Sequence, residues 1–481
     1  MTRTWSQQVT AAVSADRPAV VSAAGGRADC WTGSDLLQIG AGLRDWVRGL
    51  DAGNIVPALL SDTGPAMALV LGGAEAGYPI APLGPRLTVP ELAACVRGLD
   101  AQVLVTEPTF AELGHEVAWS SGARLAVLPD PLPRAEPGEP PADPTATAWV
   151  LHTSGTTGLP KPVPYEQGAM AARTRVYTAC VPLVPGDVFV AAPGFHHIAG
   201  SGNLAVALAA GATIAGFPSF SVDAWRALAP YGVTHTLLVP SMIEMLLAAD
   251  ALALPSLRSV QYGAAPIHPD TLGTMLEALP GVAVWQFFGQ TEGSPICALS
   301  PDDHRAALAG RPELLRSIGR PAPEVEIVLE GVDADGVGEI CARGPHLFRP
   351  DGDGWLRTGD IGRIDADGYV FLIGRRGDTI NRGGENVRPL EVETVLRSHP
   401  AVLDVAVIGV PDRRLGEEVA AYVVPSDASA PPEPQELTAF ARTSLAGFKV
   451  PRRWTFVADL PRNSQGKLLR RVLREQATED H

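Results

Sequence analysis

The sequence predicts an α/β protein: a large N-terminal domain of two related βαβ-rich subdomains plus a small antiparallel β subdomain, followed by a small mobile α+β C-terminal domain. Three observations predict it. Two stretches within the first 240 residues echo each other. Both consist of continuous apolar runs separated by helical segments, the pattern of parallel strands covered on both faces. From about residue 320 the texture changes to short strands split by Asp-Gly turns, which marks antiparallel β. At 481 residues the chain is too long for one core, so several structural units are required.

In chain order, the first echo reads "NIVPALLSDTGPAMALVLGGAEAGYPIAPL" and then "GLDAQVLVTEP". The second reads "DVFVAAPGFHHIAGSGNLAVALAAGATIAGF" and then "YGVTHTLLVPS". Each is a short apolar strand, a small-residue helix ending at Ala-Gly, a second strand, another helix and a third strand. Between them, "LPDPLPRAEPGEPPADPTATA" is a Pro-rich polar connector. The strands "EVEIVLE", "GEICARG" and "GYVFLIG", with "DADG" turns at 333 and 365, form the β subdomain of about 320–374. The C-terminal domain, 375–481, carries helix "LEVETVLRSH", strands "AVLDVAVIGV" and "VAAYVVP", and helix "QELTAFARTSL"; the N-terminal domain is then 1–374.

A net charge of −15 argues against a nucleic-acid partner, whose footprint would be basic. Cys30, Cys95, Cys180, Cys297 and Cys341 are scattered and never at CxxC spacing, so neither a disulfide framework nor a zinc site follows. The start "MTRTWSQQVTAAVSADRPAVV" lacks the apolar core of a signal peptide. The run "PAMALVLGGAEAGYPIAPL" is broken by glycines and contains Glu75, which argues against a membrane span. A reducing cytoplasm is expected.

The segment "TSGTTGLPK", 153–161, crowds hydroxyls around two glycines and closes on a lysine. That composition suits a loop around phosphate. Its spacing is not the Walker G-x-x-x-x-G-K-[ST], and Pro162 and Pro164 oppose a helix directly after it. Taken alone, a Gly/Thr turn explains it equally well.

Four more stretches follow in fixed order: "FFGQTEG", "WLRTGD", "GRRGDTINRGGENVRPLEVE" and "PRNSQGKLLR". Together the five resemble the ordered signatures of the adenylate-forming enzymes, the superfamily of acyl-CoA synthetases, peptide-synthetase adenylation domains and luciferases. The "INRGGENV" wording is most similar to the acyl-CoA synthetase branch. The resemblance spans about Asp45 to Arg474 and includes the "GYPIAPLGP" region.

It implies an ATP-dependent acid–thiol ligase. A carboxylate attacks the α-phosphate of ATP although both are anions, so the site must gather cations and donors there. By resemblance, Thr153, Ser154, Gly155, Thr156, Thr157, Gly158 and Lys161 cover the β- and γ-phosphates. Glu292 holds Mg²⁺, Thr291 bonds the α-phosphate, and Phe288 lies against adenine. Gly263, Ala264, Ala265, Phe287 and Gly289 complete the ATP site, while Asp360, assisted by Arg375, accepts from the ribose. Lys467 bridges the acid oxygen and the α-phosphate. Singly, Glu292 reads equally as a solvated loop acid, Asp360 as a turn former, Phe288 as core and Lys467 as a surface charge.

For the thiol step the resemblance implies a C-terminal swing about a hinge at Gly377, where relatives commonly carry Asp or Lys, with Gly383, Gly384 and Glu385 lining a path for pantetheine. Pro162, where relatives usually carry Gly, is a second departure. The acid is expected among His196, His197, Gly200, Gln261, Tyr262 and Phe287, with Phe287 shortening the cavity toward a compact acid, aromatic or short branched. Coenzyme A is the expected acceptor. Arg442, Lys449, Arg452, Arg453, Arg462, Lys467, Arg470, Arg471 and Arg474, against Asp459 alone, offer a basic segment that would meet CoA phosphates or an acidic acyl carrier protein, or simply a solvated face. A carrier-loading enzyme is the alternative; an inactive scaffold, a kinase and a luciferase-like oxidase are the rivals.

Overall fold

The computed structural model describes residues 3–24, 27–61, 63–153, 160–348, 352–462 and 468–479. The chain is mixed α/β and divides into two compact units, one formed by Met1–Glu326 with Arg343–Leu356, the other by Ile327–Ala342 with Arg357–His481.

The first unit is built on two sheets whose strand orders match. In one, the order is Arg124–Val127, Val103–Thr106, Val56–Leu59, Ile80–Leu83, Thr147–Thr153, Lys161–Glu166. In the other it is Ser259–Gly263, His235–Leu238, Val188–Ala191, Thr213–Gly216, Pro18–Ala24, Arg27–Thr32. The strands of the two sequence echoes occupy the same places: first strand central, second and third on either side, all parallel. Each sheet then gains a further parallel strand at both flanks and an antiparallel edge. The second sheet continues past Ser259–Gly263 with Ala283–Gln290, Gly293–Leu299 and Arg320–Pro321. One placement was not legible in the echo: Pro18–Ala24 precedes the whole first half in sequence but joins the second sheet beside Thr213–Gly216.

Small residues between the sheets explain the close packing. Helices Gly33–Arg48 and Thr63–Ala76 meet where a Cβ on Gly72 would stand 2.4 Å from the Gly40 carbonyl; only glycine permits that approach. Thr63–Ala76 is buried along most of its length, as its lack of a polar face requires. The first of these helices starts with a capping box in which Thr32 and Asp35 satisfy each other's backbone donors.

In the second unit, strands Glu326–Glu330, Gly338–Arg343, Leu356–Ile364 and Val370–Arg375 form a four-stranded sheet. A second sheet has the order Glu385–Val387, Ile380–Arg382, Gly416–Pro425, Val402–Asp412, with Arg453–Phe456 added parallel to Gly416–Pro425. Helices Pro389–Arg397 and Pro434–Arg442 pack on it through Val392, Leu396, Leu437 and Ala441. The compact units thus group most of the four-stranded sheet with the C-terminal segment, a cut that differs from the boundary at 374/375.

Candidate functional site

In the first unit the proposed residues collect at the C-terminal ends of the parallel strands, where open α/β sheets bind ligands. The strand Thr147–Thr153 turns back as Lys161–Glu166, with Thr153 opposite Lys161 at the neck of the loop. An extended strand therefore follows the loop, as the two prolines require, and both sit exposed on that edge strand, where no donor is needed. Ser154, Gly155, Thr156, Thr157 and Gly158 lie outside the described residues. Thr291 and Glu292 form the two-residue turn of the hairpin Ala283–Gln290/Gly293–Leu299. Its backbone is held from two sides: the Tyr165 hydroxyl donates to the Thr291 carbonyl, and the Phe348 N–H donates to the Glu292 carbonyl at 2.7 Å. Tyr165 belongs to the strand that follows the 153–161 motif, so its hydroxyl ties that strand to the Thr291–Glu292 turn. Sequence reasoning missed it, although its alternation with Val163 on the buried face of that strand was a signal.

The residues expected at the acid do not all share a face. Gln261 is fully buried and accepts from the Tyr177 hydroxyl at 3.1 Å. Phe287 lies 5.2 Å from Tyr177 and stacks on Trp285. Tyr262 points the other way, its hydroxyl 3.0 Å from His304 Nε2, packed in a separate core. It does not line a cavity with Gln261, because neighbouring strand residues face opposite sides. For the same reason Phe288 faces away from Phe287. His196 is gripped between glycines: a Cβ on Gly84 or on Gly194 would come within 2.9 or 2.6 Å of its ring. Its ring centroid is 3.9 Å from that of His197. Burial, reinforced by the Arg86 charge, pulls His196 down to about 4 and His197 well below its ordinary value, so both are neutral at pH 7.

Gly263 and Gly289 have packing reasons to be glycine, since a Cβ would meet the Phe287 carbonyl at 2.3 Å or the Ser294 Cβ at 2.6 Å. Ala264 between Gly263 and Ala265 adopts φ +68, a conformation that costs a non-glycine residue energy and clusters at ligand sites. Burial likewise pulls His152, one residue before Thr153, down to about 4.

The second unit holds the remaining candidates. Asp360 and Arg375 are cross-strand partners, with Arg375 Nε donating to Asp360 Oδ1 at 2.7 Å. Gly383 and Gly384 form the two-residue turn between Ile380–Arg382 and Glu385–Val387, with φ +62 and +94. Such a turn demands glycine for its own geometry, whatever passes beside it; Glu385 follows, exposed. Gly377 has φ outside the left-handed region, and a Cβ there would meet nothing within 4 Å. Lys467 lies outside the described residues, but its loop is closed at both ends: Arg462 bridges Leu468, and the Leu469 N–H donates to the Pro461 carbonyl at 2.8 Å.

Among the described residues, at least five of the nine cations of the basic segment are ion-paired inside this unit. Lys449 pairs with Glu391, Arg462 with Asp404, Arg470 with Glu393 and Asp378, Arg471 with Glu475, and Arg474 with Asp378. Among the described residues no group of three or more His, Cys, Asp or Glu is placed to hold a metal, and no helix is long and apolar enough to cross a membrane.

Comparison with known proteins bears on the family and the fold. The AMP-binding enzyme family matches residues 8–350, and the AMP-binding enzyme C-terminal domain matches 391–467. The chain is 32% identical over 466 residues to the fatty acid–[acyl-carrier-protein] ligase ScoC of Streptomyces coeruleorubidus, covering 89% of this chain and 88% of that protein. It is 34% identical over 464 residues to a feruloyl-CoA synthase of an Amycolatopsis species, covering 89% and 91%. Its fold superposes on the amide bond synthetase McbA of Marinactinospora thermotolerans with TM-score 0.85 and 31% identity, over 98% and 99% of the two chains. With both family domains matched across most of its length, the chain belongs to the AMP-binding enzyme family of the adenylate-forming superfamily.

Proposed function

We propose that the chain is an AMP-forming acid–thiol ligase of the acyl-CoA synthetase branch, which joins a carboxylic acid to the α-phosphate of ATP, releases pyrophosphate, and passes the acyl group to coenzyme A. The observation that carries this reading is the Tyr165 hydroxyl on the Thr291 carbonyl, which ties the strand Lys161–Glu166, directly after the 153–161 motif, to the Thr291–Glu292 turn. In this reading Thr153, Lys161 and the hydroxyl- and glycine-rich motif they bracket serve the β- and γ-phosphates. Thr291 then donates to the α-phosphate, and Phe288 lies against adenine.

Glu292 fits Mg²⁺: a single half-buried carboxylate in a fixed turn suits a cation that takes its other oxygens from phosphate and water. When bound, the metal would offset the charge of the leaving pyrophosphate. Asp360 accepts from the ribose hydroxyls while Arg375 orients its carboxylate. Lys467 lowers the repulsion between carboxylate and phosphate as the new P–O bond forms. His196 is neutral and held between glycines, so it gates the acid pocket without charging it. Trp285 stacked on Phe287, with Tyr177 tilted against it, gives an aromatic surface that supports a compact aromatic or short branched acid.

Relatives differ in acceptor by name: a carrier-protein ligase, a CoA synthase and an amide bond synthetase. The ion pairs at Lys449, Arg462, Arg470, Arg471 and Arg474 weaken that segment's support for CoA phosphates and for an acidic carrier alike; the carrier-protein ligase among the relatives keeps that acceptor as the alternative. The test is pyrophosphate release by the full chain with MgATP, CoA and a panel of carboxylic acids. Acid-dependent release should fall about a hundredfold or more in Lys467→Ala, the loss typical of removing a preorganised charge from a developing transition state. ADP as the product, or release indifferent to Lys467, would overturn the reading.

A further inference from the structure

Arg173 is an arginine with 1% of its surface exposed, in the helix Gln167–Cys180. Among the described residues no carboxylate lies within ion-pairing distance of it, and its Nε has no hydrogen-bond partner. A buried permanent cation without a counter-charge is costly, so its two remaining bonds are informative. One guanidinium nitrogen donates to the Gly202 carbonyl at 3.3 Å and the other to Asn203 Oδ1 at 2.6 Å. Asn203, itself buried, donates back to the Ala199 carbonyl at 3.1 Å.

Both bonds converge on one unusual element. Ile198–Gly202 is a π-helical turn, a geometry that is rare and concentrated at functional sites. Its carbonyls take side-chain donors in addition to backbone ones, as the His197 carbonyl does beside the Gly200 and Ser201 N–H groups. Ser201 Oγ supplies the His197 carbonyl at 3.2 Å, Asn203 supplies that of Ala199, and Arg173 supplies that of Gly202. Gly200 is pressed onto the preceding turn so closely that a Cβ would lie 2.3 Å from the Gly194 carbonyl. The turn therefore begins directly after His197 and carries Gly200, both assigned to the acid site. One helical turn beyond Arg173, Tyr177 donates to Gln261 and packs on Phe287, both assigned to the acid site. A single helix thus contacts both the π-helical turn and these residues.

We propose that Arg173 is a positioning residue that determines acid specificity: acting with Asn203, it fixes the π-helical turn and so the breadth of the pocket between His197 and Phe287. The inference rests on the ligase reading above and names what sets its substrate range. Its fork geometry makes it irreplaceable by lysine, which presents a point charge and cannot serve two acceptors in one plane.

The test measures pyrophosphate release against a series of linear, branched and aromatic acids for the wild type, Arg173→Met, Arg173→Lys and Asn203→Ala. Arg173→Met should raise KM for the preferred acid at least about tenfold, the loss expected for a charge-assisted bond. It should also flatten the ranking among acids of different breadth while leaving KM for MgATP unchanged. Asn203→Ala should shift the same ranking in the same direction, and the double variant should add little to either, as for residues acting in one network. Where Arg173→Met does not fold, Asn203→Ala alone carries the expectation. An active enzyme whose acid ranking is untouched in these variants, with only its Tm lowered, makes Arg173 a structural brace and overturns the inference. A wild type that releases no pyrophosphate with any acid instead sinks the ligase reading, and this inference with it.

Discussion

Burial keeps several histidines neutral, and the cost appears when the chain is acidified. Desolvation pulls His152, His196 and His346 each down to about 4, whereas an unfolded histidine takes its proton near 6.5. Between those values the unfolded chain binds more protons than the folded one, so stability falls as pH falls through that window and is level above it. Each such group contributes a slope of up to about 1.4 kcal/mol per pH unit. Tm should therefore be flat near pH 7–8 and decline from about pH 6.5 toward 4. In His346→Gln, which removes a buried ring bonded only through Nε2 to the Pro295 carbonyl, the decline should be shallower; an unchanged acid slope would mean the burial of this ring is not its cause. At this scale the sequence could nominate candidate site residues, because each sits in a short motif whose wording is local. It could not show which of Gln261 and Tyr262 meets which core, since that is decided by the helices packed on each face of the strand.

At the scale of elements, the glycine pair and the isolated Gly377 of one motif do different work. The Gly383–Gly384 turn needs φ +62 and +94, and a Cβ on Gly383 would also press on Leu415 at 3.1 Å. Gly383→Ala should destabilise the second unit by about 1–2 kcal/mol, the cost of a left-handed alanine. Gly377→Ala, which meets nothing and needs no positive φ, should leave its urea midpoint in place. Equal losses at both sites would show that the turn geometry is not what selects glycine. The strands and helices themselves were legible, because a period of two or of 3.6 is written into a dozen residues. Leu356–Ile364, which carries "RTGD", was not marked as a strand; it alternates buried and half-buried positions around two glycines, and glycine within a strand obscures the pattern.

Across the whole molecule, the residues flanking Gly377 are each tied down. Arg376 pairs with Glu339 of the four-stranded sheet at 2.7 Å, and Asp378 pairs with Arg470 and Arg474 of the last helix at 3.3 Å. Backbone freedom is thereby concentrated on one residue, which supports the proposed pivot. Gly377→Pro should leave acid-dependent pyrophosphate release within about threefold and slow thioester formation by about tenfold or more, because proline fixes the dihedral a swing must change. Parallel loss of both half-reactions would argue against a hinge there. The sequence alone determined the family, the order of its motifs, the repeated βαβ halves and the bulk of the candidate site, since all of these are properties of contiguous segments. Only the tertiary structure decided that Pro18–Ala24 crosses to the second sheet, that the Tyr165 hydroxyl secures the Thr291–Glu292 turn, that cations of the basic segment are spent on internal ion pairs, and that Arg173 braces a π-helical turn. Each of these joins residues far apart in the chain, and such pairings are settled by which edges remain open and which buried polar groups still need partners, a competition among all the elements at once.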